Sequence, residues 1–313
     1  MIEARNLTKR YGPVVAVDDL TFDVLPGMVT GFLGPNGAGK STTMRMILGL
    51  DAPTRGTVTA HGRRYRSLHN PLHRVGALLE ARGIHPGRSA RNHLLCLAQA
   101  NAISAQRVDE VLDIVGLSTV ADKRAGGFSL GMNQRLGIAG ALLGDPDVLL
   151  LDEPVNGLDP EGIIWIRTLL RALAAEGRTI LLSSHLMTEM AMTADRLIVI
   201  GRGALIADAS VEEFIRRSSG NRVRVRSPRR NDLRAALTDE ASDIEIRDDG
   251  ALIVTGLDCP QVATLAAAAG IPVHELVAET ASLEQAYLEL THDSVEYRPD
   301  DQTALASVSH PAA

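Results

Sequence analysis

Cysteine is nearly absent: Cys96 and Cys259 are the only two in 313 residues. They supply neither a disulfide framework nor a zinc cluster, and they fit a reducing cytosol. Aromatic residues make up only 3% of the chain, so each one that occurs asks for a reason. No apolar run approaches the roughly 18 to 20 residues that a membrane span requires. A role at a membrane would therefore borrow its span from another chain. Met1-Ile2-Glu3-Ala4-Arg5 carries no signal-peptide core, which sets the expectation of a cytosolic chain. Positive charge is also in deficit. A net charge of −6 argues against a nucleic-acid binder that relies on bulk basicity. What remains is 45% hydrophobic and 22% charged, long enough for a full core and for two domains.

The first positive signal is a glycine loop. Gly34-Pro35-Asn36-Gly37-Ala38-Gly39-Lys40-Ser41-Thr42 follows the apolar, strand-like Met28 to Leu33 and precedes a helical pattern with Met44, Ile47 and Leu48 on one face. Strand, glycine loop and helix in that order make a phosphate site. The glycines let the backbone curl so that several N–H groups point at one anion, and the helix after Gly39 adds its positive end. A plain turn would explain the glycines but not the Lys-Ser pair behind them. Lys40 then reaches the β- and γ-phosphates of a nucleotide, and Ser41 ligates Mg²⁺.

Acids and a histidine follow at strand ends. Val148 to Leu151 read as a strand buried on both faces, as in a parallel sheet, terminating in Asp152 and Glu153. Parallel strands present functional groups at their C-terminal ends. Asp152 would hold Mg²⁺ through water, and Glu153 would polarise the attacking water. Arg178 to His185 repeats the device. A lone histidine, one of nine here, is usually structural, but a strand end beside the others aims His185 at the γ-phosphate.

Three further sites are weaker by themselves. Phe128-Ser129-Leu130-Gly131-Met132 opens an apolar helix, Leu136 to Leu143. Ser129 and Gly131 there form a second anion-binding nest, although serine is also an ordinary N-cap. Asn156 to Pro160 is a turn with Asp159 as cap of the next helix. Tyr11 sits in an early hairpin-like stretch. Alone it reads as a packing residue; with a phosphate loop downstream, a ring stacked on adenine is the stronger reading.

Organisation follows from periodicity. Between about 88 and 144 the apolar spacing is helical, at Leu94, Leu95, Leu97 and Ala98 and then at Val108, Val111, Leu112 and Val115, with Gly116 closing the second helix, which suggests a separate helical lobe. Ala194 to Ala207 predict a hairpin around Gly201-Arg202-Gly203, and a helix from Val211 closes a first domain at 1–220. Residues 218–221 read as a linker. A small α+β unit is expected at 221–291, with a closing helix Leu283 to Leu290. Arg222-Val223-Arg224-Val225-Arg226 alternates strictly, and the acids that follow, among them Glu245 and Asp249, make its basic face a solvated one. Residues 292–313 are rich in Asp, Pro, Ser and Ala and carry the expectation of disorder.

Taken together, residues 1–220 resemble an ATP-binding-cassette (ABC) ATPase subunit. Tyr11 stands where that family stacks adenine, Gly34 to Thr42 match its phosphate loop, and Phe128 to Met132 occupy the place of its Leu-Ser-Gly-Gly-Gln signature. Val148 to Glu153 match the magnesium strand and catalytic glutamate, Asn156 to Asp159 the inter-subunit loop, and His185 the switch histidine. Two departures stand out. Glu80 occupies the place of a glutamine that senses the γ-phosphate, where a carboxylate can still ligate Mg²⁺ or position water. The signature has Leu130 for a glycine and Met132 for the glutamine. Both departures look like the bacterial subgroup that exports antibiotics and peptides.

The resemblance implies an α/β, P-loop NTPase fold of the ABC type: a RecA-like core, an antiparallel β subdomain and a helical signature lobe, then the small C-terminal domain, serving dimerisation or regulation. It implies ATP and Mg²⁺ as ligands and a head-to-tail homodimer. Lys40, Ser41, Asp152, Glu153 and His185 of one copy grip ATP while Ser129 and Gly131 of the other cap it. A separate membrane permease is implied as partner, reached from the segment between Glu80 and His93, with the chain at the cytoplasmic face of the membrane. No nucleic acid is expected. The alternative is a soluble ATPase of the same family that gates a protein partner or ribosome without transport.

Overall fold

The computed structural model describes residues 1–80, 83–219, 222–279 and 282–291. The expectation for 292–313 lies outside them, as do Gly220 and Asn221 of the expected linker. Its other half, Ser218 and Ser219, is helical.

Three sheets organise the described residues. The first is antiparallel, order β2-β1-β4, from β1 (Ile2–Tyr11), β2 (Val14–Val24) and β4 (Arg55–Ala60). Tyr11 and Val14 close the β1–β2 hairpin, and Gly12 takes the positive φ of 57° that this turn needs. The second sheet has six strands in the order β5-β6-β7-β3-β8-β9: β3 (Met28–Leu33), β5 (Val75–Leu78), β6 (Val148–Asp152), β7 (Thr179–Ser183), β8 (Arg196–Gly201) and β9 (Ala204–Ser210). All of its pairings are parallel except the β8–β9 hairpin.

Alternation along these strands divides the core. In β6, Val148 and Leu150 face the antiparallel sheet, while Leu149 and Leu151 face the helices. β7 and β8 split the same way, at Leu181 against Ile180 and Leu182, and at Ile198 and Ile200 against Leu197 and Val199. Helix α1 (Lys40–Ile47) fills the first space with Met44, Met46 and Ile47. The second space takes α4 (Leu130–Leu142), α5 (Pro160–Ala175) and the expected helical lobe, α2 (Ala90–Ala100) and α3 (Ala105–Ile114). Ser89 and Ser104 cap α2 and α3 by accepting the Asn92 and Arg107 N–H groups. A short helix absent from the sequence reading, α6 (Met187–Thr193), begins two residues after His185 and packs Met190 under Gly31 of β3.

After α7 (Val211–Ser219) comes a third sheet, fully antiparallel, order β11-β12-β10-β13: β10 (Arg222–Arg226), β11 (Asp243–Ile246), β12 (Leu252–Thr255) and β13 (Glu275–Ala278). With α8 (Arg230–Leu237) and α9 (Cys259–Ala268) it forms a β-α-β-β-α-β split arrangement. Val223, Val225, Leu252 and Val254 pack on Leu233, Leu237 and Val262. The arginines face the other way onto carboxylates: Glu275 takes Arg224 and Arg226, each at 3.0 Å, and Asp249 pairs with both. The Ala251 N–H first, then these guanidiniums, hold Asp249 down at about 2.

The last helix departs from expectation. α10 (Leu283–Thr291) packs not on this third sheet but back on α7 and α6, burying Leu283, Ala286 and Tyr287 in the same core as Met190 and Phe214. Its apolar face matches a surface some 70 residues earlier in the chain, which local periodicity does not reveal. Ala286→Asp buries an unpaired carboxylate there and lowers the stability of the first unit by about 3 kcal/mol or more. Denaturant titration followed by the fluorescence of the sole tryptophan, Trp165 on α5, reads this directly; an unshifted midpoint would show that α10 does not hold that core together.

Candidate functional site

The phosphate loop leaves β3 through a passage too tight for side chains. A Cβ on Gly34 would lie 2.5 Å from the Ile200 carbonyl, and one on Gly39, at φ 102°, 2.5 Å from that of Ala16. Gly39 then caps α1 without a side-chain acceptor, and the first turn of α1 carries no acid. Its leading N–H groups therefore stay available to an anion. Lys40 Nζ donates to the Gly34 carbonyl and, at 3.1 Å, to that of Pro35, which folds it over the loop. Burial lowers the pKa of Lys40, while the charges of Glu153 and Asp152 pull it back up. A depression of about 270 Å³ opens here, lined by Ala16, residues 35–42, Asp152 and Glu153.

Parallel register brings the acids to the same edge, because Asp152 pairs with Ser183 across β6 and β7. One oxygen of the Asp152 carboxylate accepts the Ser41 hydroxyl at 2.9 Å and the other accepts that of Ser183. Ser183 in turn accepts the Glu153 N–H on its Oγ at 3.0 Å and on its carbonyl at 3.2 Å. Glu153 itself takes a left-handed backbone, φ 51°, which costs a non-glycine residue on the order of 1–3 kcal/mol. Pro154 contributes by disfavouring the right-handed alternative. The Glu153 carboxylate accepts from His185, 2.7 Å from Nδ1 and 3.3 Å from the backbone N–H. His185 stays exposed and reaches the depression through Glu153 rather than lining it.

Ser41 and Asp152 offer a hydroxyl and a carboxylate together, a hard-oxygen donor set that suits Mg²⁺ completed by phosphate and water. No group of three His, Cys, Asp or Glu side chains gathers among the described residues, and a magnesium site of this kind needs none.

The other expected residues fall in different places. Tyr11 is 46% exposed; its hydroxyl donates to Asp51 at 2.9 Å and lies beside Thr42 at the rim, with Lys9 over the ring at 4.8 Å. Glu80 is exposed beyond the end of β5 and does not line the depression. Ser129 caps α4 by accepting the Met132 N–H at 3.2 Å; it is exposed and is not among the residues that line this chain's own depression. Gly131 is needed there, since a Cβ would sit 2.7 Å from the Gly157 carbonyl. Asp159 caps α5 through the Gly162 N–H. Two residues that the sequence reading did not single out belong to the site: Ser183, which bridges the acids, and Gln134, whose Nε2 donates to the Glu153 carbonyl at 3.0 Å. The Ser-Ser before His185 was the available signal for the first.

A family model described as "ABC transporter" matches residues 17–156, and one described only as a domain of unknown function matches 221–284. The chain is 43% identical over 221 residues to the bacitracin transport ATP-binding protein BcrA of Bacillus licheniformis, covering 70% of this chain and 72% of that one. It is 37% identical over 298 residues to the Nod factor export ATP-binding protein I of Burkholderia orbicola, covering 93% and 96%. Among solved structures, an ATP-binding subunit of an ABC transporter aligns with a TM-score of 0.64 at 28% identity, over 69% of this chain and 92% of that one. The dimeric cassette MJ0796 bound to ADP and Pi aligns with 0.62 at 25%, over 67% and 98%. The family match spans the phosphate loop and both strand-end acids, and the chain belongs to the ABC transporter ATP-binding subunits, a family of ATPases.

Proposed function

We propose that two copies of this chain sandwich two ATP molecules head to tail and use the closure to drive a separate membrane permease that exports an antibiotic, peptide or other drug-like compound. The observation that carries the reading is the pair of linked contacts at the strand ends: Ser41 to Asp152, and Glu153 to His185. The first would hold magnesium, which supplies charge neutralisation at the phosphates. The second places a carboxylate where it can take a proton from water, with His185 orienting it.

Lys40 leaves its loop carbonyls for the β- and γ-phosphates, exchanging neutral acceptors for charged ones, which is favourable. Tyr11, tethered at the rim, offers its ring to the base. Ser129 and Gly131 of the partner complete the γ-phosphate site, because no second phosphate-binding helix tip of this chain lines the depression. The export reading draws on the names of the relatives in Bacillus licheniformis and Burkholderia orbicola. None of the described helices is long and apolar enough to cross a membrane, so a span would come from the permease. The unit at 221–291 is a candidate regulator of the ATPase, since α10 ties it to α6 just beyond His185.

Glu153→Gln is expected to retain ATP affinity while turnover falls at least about 100-fold, leaving a dimer that persists with ATP in gel filtration. Undiminished hydrolysis would remove Glu153 from the role of base. For Lys40→Ala, nucleotide affinity itself drops about 10- to 100-fold in titrations with a labelled analogue. Wild-type affinity there would speak against the phosphate-loop assignment.

A further inference from the structure

Gln134 is a buried polar residue that the ATP-site reading leaves without a task. It lies on α4 five residues beyond Ser129, about 7.5 Å along the helix axis, and is 4% exposed. An amide so far from water needs a bond to offset its desolvation. It finds one on the Glu153 carbonyl at 3.0 Å, and since a carbonyl only accepts, the amide nitrogen must face it. The same carbonyl takes the Asn156 N–H at 3.2 Å, while the Glu153 N–H is held on Ser183. The left-handed backbone of Glu153 is thus gripped on both of its peptide groups. One grip comes from the helix whose N-terminal tip carries the signature.

That helix is also wedged. Gly131, at its tip, meets the Gly157 backbone so closely that not even a Cβ fits between them. The tip of α4 therefore has no room to move toward the Gly157 backbone without displacing it.

We propose that Gln134 is a positioning residue that couples the two ATP sites of the dimer. The tip of α4 caps the nucleotide gripped by the partner, and through Gln134 the same helix sets the carboxylate of its own chain's Glu153. The inference rests on the reading of Glu153 as the base and Ser129 as a cap in trans. Hydrolysis at one site then answers to engagement of the signature helix at the other, through a rigid helix and one hydrogen bond.

Gln134→Met keeps the length and removes the donor; turnover is expected to fall about tenfold with ATP affinity, measured with a fluorescent analogue, held within about twofold. Gln134→Glu adds a readout that packing alone would not move. Ionised, the new carboxyl cannot donate; protonated, it can, and burial raises its pKa, so its turnover relative to wild type rises as the pH falls from about 8 to about 6. Mixed dimers of full-length, differently tagged chains, one carrying Glu153→Gln, locate the effect. Gln134→Met slows turnover only in the chain with the intact glutamate. Ser129→Ala in that chain, whose hydroxyl meets no nucleotide but the partner's and within its own chain caps α4 at the Met132 N–H, also slows it, and adds nothing once Gln134→Met is present. Wild-type turnover of Gln134→Met, a pH-independent ratio for Gln134→Glu, equal losses in the two mixed arrangements, or a Ser129→Ala effect that Gln134→Met leaves intact would each overturn the coupling. Should Glu153→Gln itself turn over normally, the underlying reading fails instead.

Discussion

Asp152 accepting from Ser41 and Ser183 is the contact on which the site depends. It joins the helix after the phosphate loop to two neighbouring strands, and it exists only because β3, β6 and β7 run parallel and end together. Parallel pairing demands cover on both faces of the sheet. The alternate residues of β6, β7 and β8 meet that demand by serving two separate cores, one beneath the antiparallel sheet and one beneath the helices. The polar edge is what remains where those apolar strands stop. Its chemistry is thus a product of where burial ends.

From that edge two lines of force lead outward. Glu153 is tied to His185, and His185 is followed at once by α6, on which α10 from the far end of the chain rests. Glu153 is also tied to α4 through Gln134, and α4 ends at the exposed Ser129. A carboxylate in a left-handed backbone, held from several directions, is well placed to respond to motion in any of them. The small third sheet, with its arginines neutralised on Glu275 and Asp249, offers no surplus positive field, and its connection to the ATPase runs through packing.

Much of this was legible in the chain. The glycine loop, the two acids after four apolar residues and the serine before an apolar helix are local patterns, and local geometry follows from local sequence. The β8–β9 hairpin and the caps Ser129 and Asp159 were equally readable. Ser183 was not, because its role depends on the register that sets it beside Asp152. Gln134 reads as one more helix residue until the fold places Glu153 against it. The expectation for α10 missed for the same reason: an apolar stripe states that a helix needs a partner and not which one. Glu80 could be ranked by position in sequence, but the end of β5 leaves it exposed and outside the depression.

The central claim is that each ATP is held by the lysine of one copy and the signature serine of the other. Mixing Lys40→Ala chains with Ser129→Arg chains tests it most directly. In the mixed dimer one site combines both lesions, and the other combines the intact phosphate loop of one chain with the intact helix tip of its partner. The account predicts that two inactive proteins regain ATPase activity when combined. A mixture that forms dimers and stays as inactive as its parents would contradict it.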